Sequence, residues 1–158
     1  MAVLATPMAM ASTRAARFAT YVDTSVWCAY CFNDEDAEKA VQWLANVDMT
    51  KVGTAWWTRT EFESALALQL RKKALNESQA NRSRKLFADL MAMVVELNVI
   101  REDFLEAAKS CSEHVSRLRA ADALHLAIAG RHGCKAVATL DKDMRKNALR
   151  LGLEVIDL

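Results

Sequence analysis

Asp122 is a carboxylate within an otherwise apolar stretch, RAADALHLAIAG, at positions 119–130. A helix that is apolar nearly all round is normally buried. A carboxylate buried without a partner is costly, so the group must be protonated, hydrogen-bonded or bound to a cation. Two further isolated acids end apolar, strand-like segments, since Asp23 follows ARFATYV and Asp141 follows CKAVATL. Three carboxylates in such positions favour a shared cation.

The elements that must position these acids alternate between short apolar strands and helices. Strands are predicted in ARFATYV, MTKVGTA, ELNVI, CKAVATL and LEVIDL. Helices are predicted over 35–47, 56–74, 77–94, 101–118, 119–133 and 141–152, and a polar turn at Asp23–Thr24–Ser25. Strands separated by helices need crossover connections, so we expect an α/β fold with a mainly parallel sheet.

This arrangement predicts that four acids meet at one rim of the sheet. Ligands of open α/β sheets bind outside the carboxyl ends of the strands, where Asp23 and Asp141 lie. Glu61 comes early in the helix after the second strand, and Asp122 early in the helix before the fourth. Like charges at close range require protons or a metal ion. Oxygen-only ligands favour Mg²⁺ or Mn²⁺.

Composition indicates one globular domain. The chain has 158 residues, 53% of them hydrophobic, and a formal net charge of +1, so no global charge excess points to nucleic acid. No apolar stretch approaches the roughly 20 residues that cross a bilayer, and we expect a cytoplasmic protein without a membrane role. The four cysteines are predicted to be free, mostly buried thiols, because Cys28-Ala-Tyr-Cys31 has no matching second pair.

Residues 1–16 are predicted to be a flexible leader and residues 17–158 the folded domain. The leader is acid-free, and its arginine follows the apolar stretch, unlike the order in a secretory signal. A transit peptide stays open as an alternative, and Met8 or Met10 as alternative starts.

Four motifs together resemble a PIN domain and, more narrowly, the VapC-type ribonuclease toxins: YVDTS, TEFESAL, RAADALHLAIA and ATLDKD. The resemblance spans residues 18–158 and implies a three-layer α/β/α sandwich with about four to five strands. It implies that Asp23, Glu61, Asp122 and Asp141 bind Mg²⁺ or Mn²⁺ in a metal-dependent endoribonuclease that cleaves single-stranded RNA. A homodimer and a co-encoded antitoxin that blocks the site are implied as partners.

The resemblance also implies auxiliary residues around the four acids. Thr24 and Ser25 match the polar pair after the first acid, Thr139 a hydrogen-bonding residue before the fourth, and Asp143 an auxiliary acid. Met144 stands where an aromatic residue is usual, a departure that bears on packing. Three cations close to Asp141 are candidates for holding substrate phosphates: Lys142, Arg145 and Lys146.

Several residues keep two interpretations. His125 is predicted to be a core or hydrogen-bonded imidazole, with metal or phosphate contact as the alternative. The tryptophans Trp27, Trp56 and Trp57 are core or surface residues, or stack on bases. The basic stretch 71–85 is a solvated helix tip or attracts phosphate. A competing function for the whole chain is an inactive PIN-like binding or scaffold module. A haloacid-type phosphatase is disfavoured because Ser25 stands where its second Asp is needed.

Overall fold

A parallel five-stranded sheet forms the centre of the molecule. The computed structural model describes residues 19–158, so the predicted leader and the predicted start of the domain lie outside the described residues. The strands are β1 (Thr20–Val22), β2 (Val52–Ala55), β3 (Val95–Leu97), β4 (Ala136–Ala138) and β5 (Glu154–Val155). Their order is β3-β2-β1-β4-β5, and every neighbouring pair is parallel. This confirms the predicted fold class.

Helices connect the strands and cover both faces of the sheet. They are α1 (Thr24–Phe32), α2 (Ala37–Leu44), α3 (Trp57–Arg71), α4 (Glu77–Met91), α5 (Arg101–Ser112), α6 (Ala120–Arg131) and α7 (Lys142–Arg150). The predicted helix over 101–118 is too long, because the chain after α5 forms a short 3₁₀ turn and Arg117 takes a left-handed conformation with φ 55°. None of the helices among the described residues is long and apolar enough to span a membrane.

Side chains alternate between the two faces of the sheet and build two apolar cores. Tyr21 packs with Leu124, Ile128 and other residues of α6 and α7. The next residue, Val22, packs on the opposite side with Trp27 of α1 and with residues of α3 and α4. Successive residues of a strand point to opposite faces, so one three-residue strand contributes to both cores.

Helix α1 corrects the prediction of a simple polar turn after the first strand. The chain enters the helix directly at Thr24, and Asp23 occupies the N-cap position, where its side chain accepts from the Ser25 N–H. The sequence VWCAYCF is apolar on nearly every face, so it lacks the periodicity that marks a half-exposed helix. The helix contains Cys28 and Cys31, and all four cysteines of the chain are free, as predicted.

An ion pair between a buried carboxylate and a partly exposed guanidinium joins α5 to α6. The Asp103 carboxylate, 2% exposed, accepts from Arg131 Nε at 2.6 Å and Nη2 at 2.9 Å. It also accepts from the Ile100 N–H at the start of α5 at 2.9 Å. The carboxylate therefore closes one helix end and fixes the packing of the next helix.

We predict that Asp103→Ala lowers the free energy of unfolding by about 2–3 kcal/mol, because it removes the hydrogen bond to the Ile100 N–H and the charged hydrogen bonds to Arg131. The control is Asp89→Ala, which removes an exposed partner of Lys85 at 3.1 Å, and it should cost less than about 1 kcal/mol. Urea denaturation measures both variants. Equal losses would contradict the assignment of Asp103 as a buried structural group.

Candidate functional site

The site lies at the carboxyl ends of β1 and β4, the point where the strand order reverses direction. The two strands pair in register from Thr20 opposite Ala136 to Val22 opposite Ala138. The Asp23 N–H continues the ladder by donating to the Ala138 carbonyl at 3.0 Å. Ligand sites of open α/β sheets form at such switch points.

Asp23 is held by hydroxyl groups from both strand ends. The side chain is buried, and its Oδ2 accepts from Ser25 Oγ at 2.6 Å and from Thr139 Oγ1 at 2.8 Å. Ser25 Oγ in turn accepts from the Leu140 N–H at 3.0 Å. These bonds fix the orientation of the carboxylate and occupy one of its two oxygens.

Glu61 reaches the site from the second turn of α3. Its Oε2 accepts from Thr24 Oγ1 at 2.5 Å and lies 2.5 Å from His125 Nε2. Burial alone would raise the pKa of Glu61, but His125, through its hydrogen bond and its charge, followed by Thr24 and Trp57, outweighs burial and lowers the pKa. Glu63 faces away and pairs with Arg84 at 3.1 Å. Glu61 is therefore the acid of this helix that faces the strand ends.

Asp122 lies in the first turn of α6 and is half-buried. Burial, followed by the negative charges of Asp141 and Asp23, raises the pKa of Asp122 to about 6. The structure thus brings Asp141 and Asp23, both predicted from the sequence, close enough to Asp122 to oppose its ionisation. Glu61 joins them through His125, which lies 3.5 Å from Asp23 Oδ1.

Asp141 is the N-cap of α7. Its Oδ1 accepts from the Met144 N–H at 2.7 Å, and its own N–H donates to Thr139 Oγ1 at 3.1 Å. Asp143 follows in the first turn and is half-buried. Met144 is fully buried in the core, so the departure from an aromatic residue affects packing.

The donor chemistry of the site fits a hard divalent cation, although the side chains do not form a closed metal cage. Carboxylate oxygens are the ligands that Mg²⁺ and Mn²⁺ prefer. Among residues 19–158, no three His, Cys, Asp or Glu side chains are grouped tightly enough to hold an ion. The carboxylates instead take hydrogen bonds from neighbouring donors, and Asp122, whose pKa is raised, has the most to gain from a cation.

His125 has a larger part in the site than the sequence indicated. Its side chain is fully buried, as the core interpretation expected, but it contacts Glu61, Thr24 and the Tyr21 hydroxyl. The signal was its position three residues after Asp122, which places both on one face of a helix. Tyr21 had no such signal, because it reads as an ordinary strand residue.

The other candidates take different places. Lys142 and Lys146 are exposed on α7, whereas Arg145 Nη1 donates to the carbonyls of Thr139 and Ile156 at 3.4 and 3.3 Å. The indole of Trp27 is fully buried and donates to Thr54 at 3.2 Å, so it does not line a groove. Trp56 is half-exposed, and the Arg59 guanidinium lies over its ring.

A groove of about 550 Å³ leads away from Glu61 between α1 and α3. Its α3 wall carries Glu61, Ser64, Leu68 and Arg71, a spacing that keeps them on one face of the helix. Two other cations of the basic stretch are engaged elsewhere, since Arg84 pairs with Glu63 and Lys85 pairs with Asp89. Arg71 is therefore the one cation among the described residues that line this groove.

In metal-free protein, we predict that Asp122→Asn raises stability at pH 7 by about 1 kcal/mol, allowing for the half-exposed position, or about 2–4 °C in Tm. The raised pKa means that the folded state disfavours the charged form. The wild type therefore gains stability as the pH falls through about 6, and the gap between the two proteins narrows toward pH 5. Thermal unfolding in EDTA at both pH values measures this, with the surface variant Asp89→Asn as control. A lower Tm for Asp122→Asn would contradict the repulsion.

Comparisons with known proteins agree with this architecture. The family model of the PIN domain matches residues 20–149. Mycobacterium tuberculosis VapC20, a toxin that cleaves the sarcin–ricin loop, has 20% identity and a TM-score of 0.64, with 82% of this chain and 95% of that chain covered. PAE2754 from Pyrobaculum aerophilum has 16% identity and a TM-score of 0.66, with 94% and 92% covered.

A toxin–antitoxin complex from Klebsiella pneumoniae has 16% identity and a TM-score of 0.55, with 88% of this chain and 97% of that chain covered. Identities this low establish a shared fold and nothing finer. No curated protein sequence gives a significant match. The family model, which matches most of the chain and includes all four acids, shows that this protein belongs to the PIN domain family.

Proposed function

We propose that this protein is a metal-dependent endoribonuclease that hydrolyses phosphodiester bonds of single-stranded RNA. The observation that carries the proposal is the placement of Asp122 beside Asp141 and Asp23 at the sheet switch point, where burial and then the charges of these two acids raise the pKa of Asp122 to about 6. A divalent cation bound between such acids would offset the repulsion between their negative charges. Membership of the PIN domain family and the similarity to VapC20 support the same activity.

Asp23, Glu61, Asp122 and Asp141 would hold Mg²⁺ or Mn²⁺. When bound, such an ion polarises the scissile phosphate and lowers the pKa of a coordinated water. Ser25 and Thr139 orient Asp23 through its Oδ2 and leave the other oxygen available. Thr24 holds Glu61 by its Oε2 in the same way.

The protein itself supplies no evident covalent nucleophile at this site. Cys28 lines the groove, but burial, the neighbouring Cys31 thiol and the charge of Asp23 raise its pKa far above the ordinary value. A protonated thiol is a poor nucleophile. Ser25 and Thr139 are engaged with Asp23 as donors. Hydrolysis by an activated water is therefore the mechanism that the described residues support.

The RNA backbone would follow the groove along α3, from Glu61 to Arg71. The ten-residue separation on one helix corresponds to about 15 Å, enough to hold a phosphate away from the one that is cleaved. Lys142 and Lys146, exposed beside Asp141 on α7, would contact phosphates nearer the acids. Arg145, which donates to two backbone carbonyls, would contribute positive charge from its tethered position.

The same similarity supports a biological role as the toxin of a toxin–antitoxin pair, with a cognate antitoxin as partner. We further propose a cytoplasmic homodimer. Large apolar side chains on α5 and at the end of α7 offer a surface for a protein partner, since Phe104, Leu105, Leu149 and Leu151 are each more than half exposed.

Cleavage of a mixed single-stranded RNA panel with Mg²⁺ or Mn²⁺ tests the activity directly. We expect the wild type to cleave, and EDTA, Asp122→Asn or Asp23→Asn to reduce the rate by at least about a hundredfold, since each removes a metal ligand or the metal. Asp89→Asn, at the surface of α4, should cleave like the wild type. Folded, partner-free protein that binds neither metal nor RNA would contradict the nuclease and favour an inactive scaffold module.

Binding of labelled RNA in EDTA tests the groove separately from cleavage. Arg71→Ala should weaken binding roughly tenfold and reduce the slope of log affinity against log salt by about 0.7, the value for one phosphate of a single strand. Lys85→Ala removes an equal charge outside the groove and should change neither quantity by as much. Equal effects of both variants would mean that the basic stretch acts only through its overall charge.

A further inference from the structure

His125 connects three elements of the fold through its two ring nitrogens. Its Nδ1 lies 2.5 Å from the Tyr21 hydroxyl of β1. Its Nε2 lies 2.5 Å from Glu61 Oε2 of α3 and 3.3 Å from Thr24 Oγ1 of α1. The imidazole itself is fully buried. A buried polar side chain in such a position either fills space in the core or fixes the orientation of one of its hydrogen-bond partners.

The partners of the two ring nitrogens indicate which nitrogen donates and which accepts a hydrogen bond. When Nδ1 accepts the Tyr21 proton, the remaining ring proton sits on Nε2; when the ring is charged, Nε2 also carries a proton. Nε2–H therefore donates to Glu61 in both states. The Tyr21 hydroxyl carries a proton at neutral pH, so it is available as the donor to Nδ1.

Glu61 depends on side-chain donors to hold its position. It reaches the site from a helix in the opposite layer, and its donors are side chains. Asp141, by comparison, is anchored by a backbone N–H of its own helix. The hydrogen bonds from Thr24 and His125 both fall on Oε2, and the nearby Trp57 indole also helps to lower the pKa of Glu61.

We propose that His125, oriented by Tyr21, is a positioning residue that fixes the Glu61 carboxylate and thereby sets the affinity of the acidic site for a divalent cation. The inference rests on the metal site of the proposed function. Partners that orient a metal-binding side chain in this way typically change metal affinity by about 10- to 100-fold when they are removed. His125 does not touch the substrate in this role.

Mn²⁺ binding to RNA-free protein, measured by calorimetry and by electron paramagnetic resonance, tests the proposal without any need for activity. We expect His125→Leu to weaken Mn²⁺ binding about 10- to 100-fold. His125→Gln keeps an N–H that can reach Glu61 and should recover most of the affinity. Tyr21→Phe removes one hydroxyl and should weaken binding about threefold to tenfold.

Trp27→Phe is the matched control. Trp27 of α1 is as fully buried as His125, but its indole donates to Thr54 and not to an acid. It should lower Tm without changing Mn²⁺ affinity. If His125→Leu fails to fold, Tyr21→Phe and His125→Gln still decide the question. Unchanged or tighter Mn²⁺ binding by folded His125→Leu or Tyr21→Phe would overturn the positioning role and leave the metal site standing. A wild type that binds no Mn²⁺ would overturn both.

Discussion

The parallel pairing of β1 with β4 is the constraint on which the rest of the site depends. It joins segments more than 110 residues apart, since the Asp23 N–H donates to the Ala138 carbonyl and Thr139 then reaches the Asp23 carboxylate. The strands are only three residues long. A slip of one residue would exchange the sides of Tyr21 and Val22, so the two apolar cores hold the register that the site needs.

The pairing also brings carboxylates of like charge close together, and each acid is stabilised by different neighbouring groups. Hydroxyl donors hold Asp23, an imidazole and a threonine hold Glu61, and the start of α7 holds Asp141. Asp122 is left with its burial and with the charges of Asp141 and Asp23, which together raise its pKa to about 6. Proteins commonly accept such local costs where they carry out their function. The raised pKa therefore marks the place where a cation would contribute most.

The site also joins the two helical layers. Glu61 comes from α3, whose residues Phe62 and Leu66 belong to one core, whereas His125 comes from α6, whose residues Leu124 and Ile128 belong to the other. The contact between them crosses the edge of the sheet and ends on Tyr21 in its central strand. Packing in either helical layer consequently affects the positions of the acids. It also affects the groove beside Glu61, because Glu61 is part of the wall of that groove.

The sequence by itself determined the α/β class and the parallel sheet, and it located acids at or near the strand ends, because apolar periodicity and strand-end positions are local properties. Helix α1 escaped prediction since its apolar residues face every direction, and the role of His125 escaped since its partners are 64 and 104 residues away. Only the tertiary structure decided that Trp27 is core, that Arg71 lines the groove, and that His125 contacts Glu61. Each of these positions depends on which face of a helix packs against the sheet. That orientation is determined by contacts between residues distant in sequence.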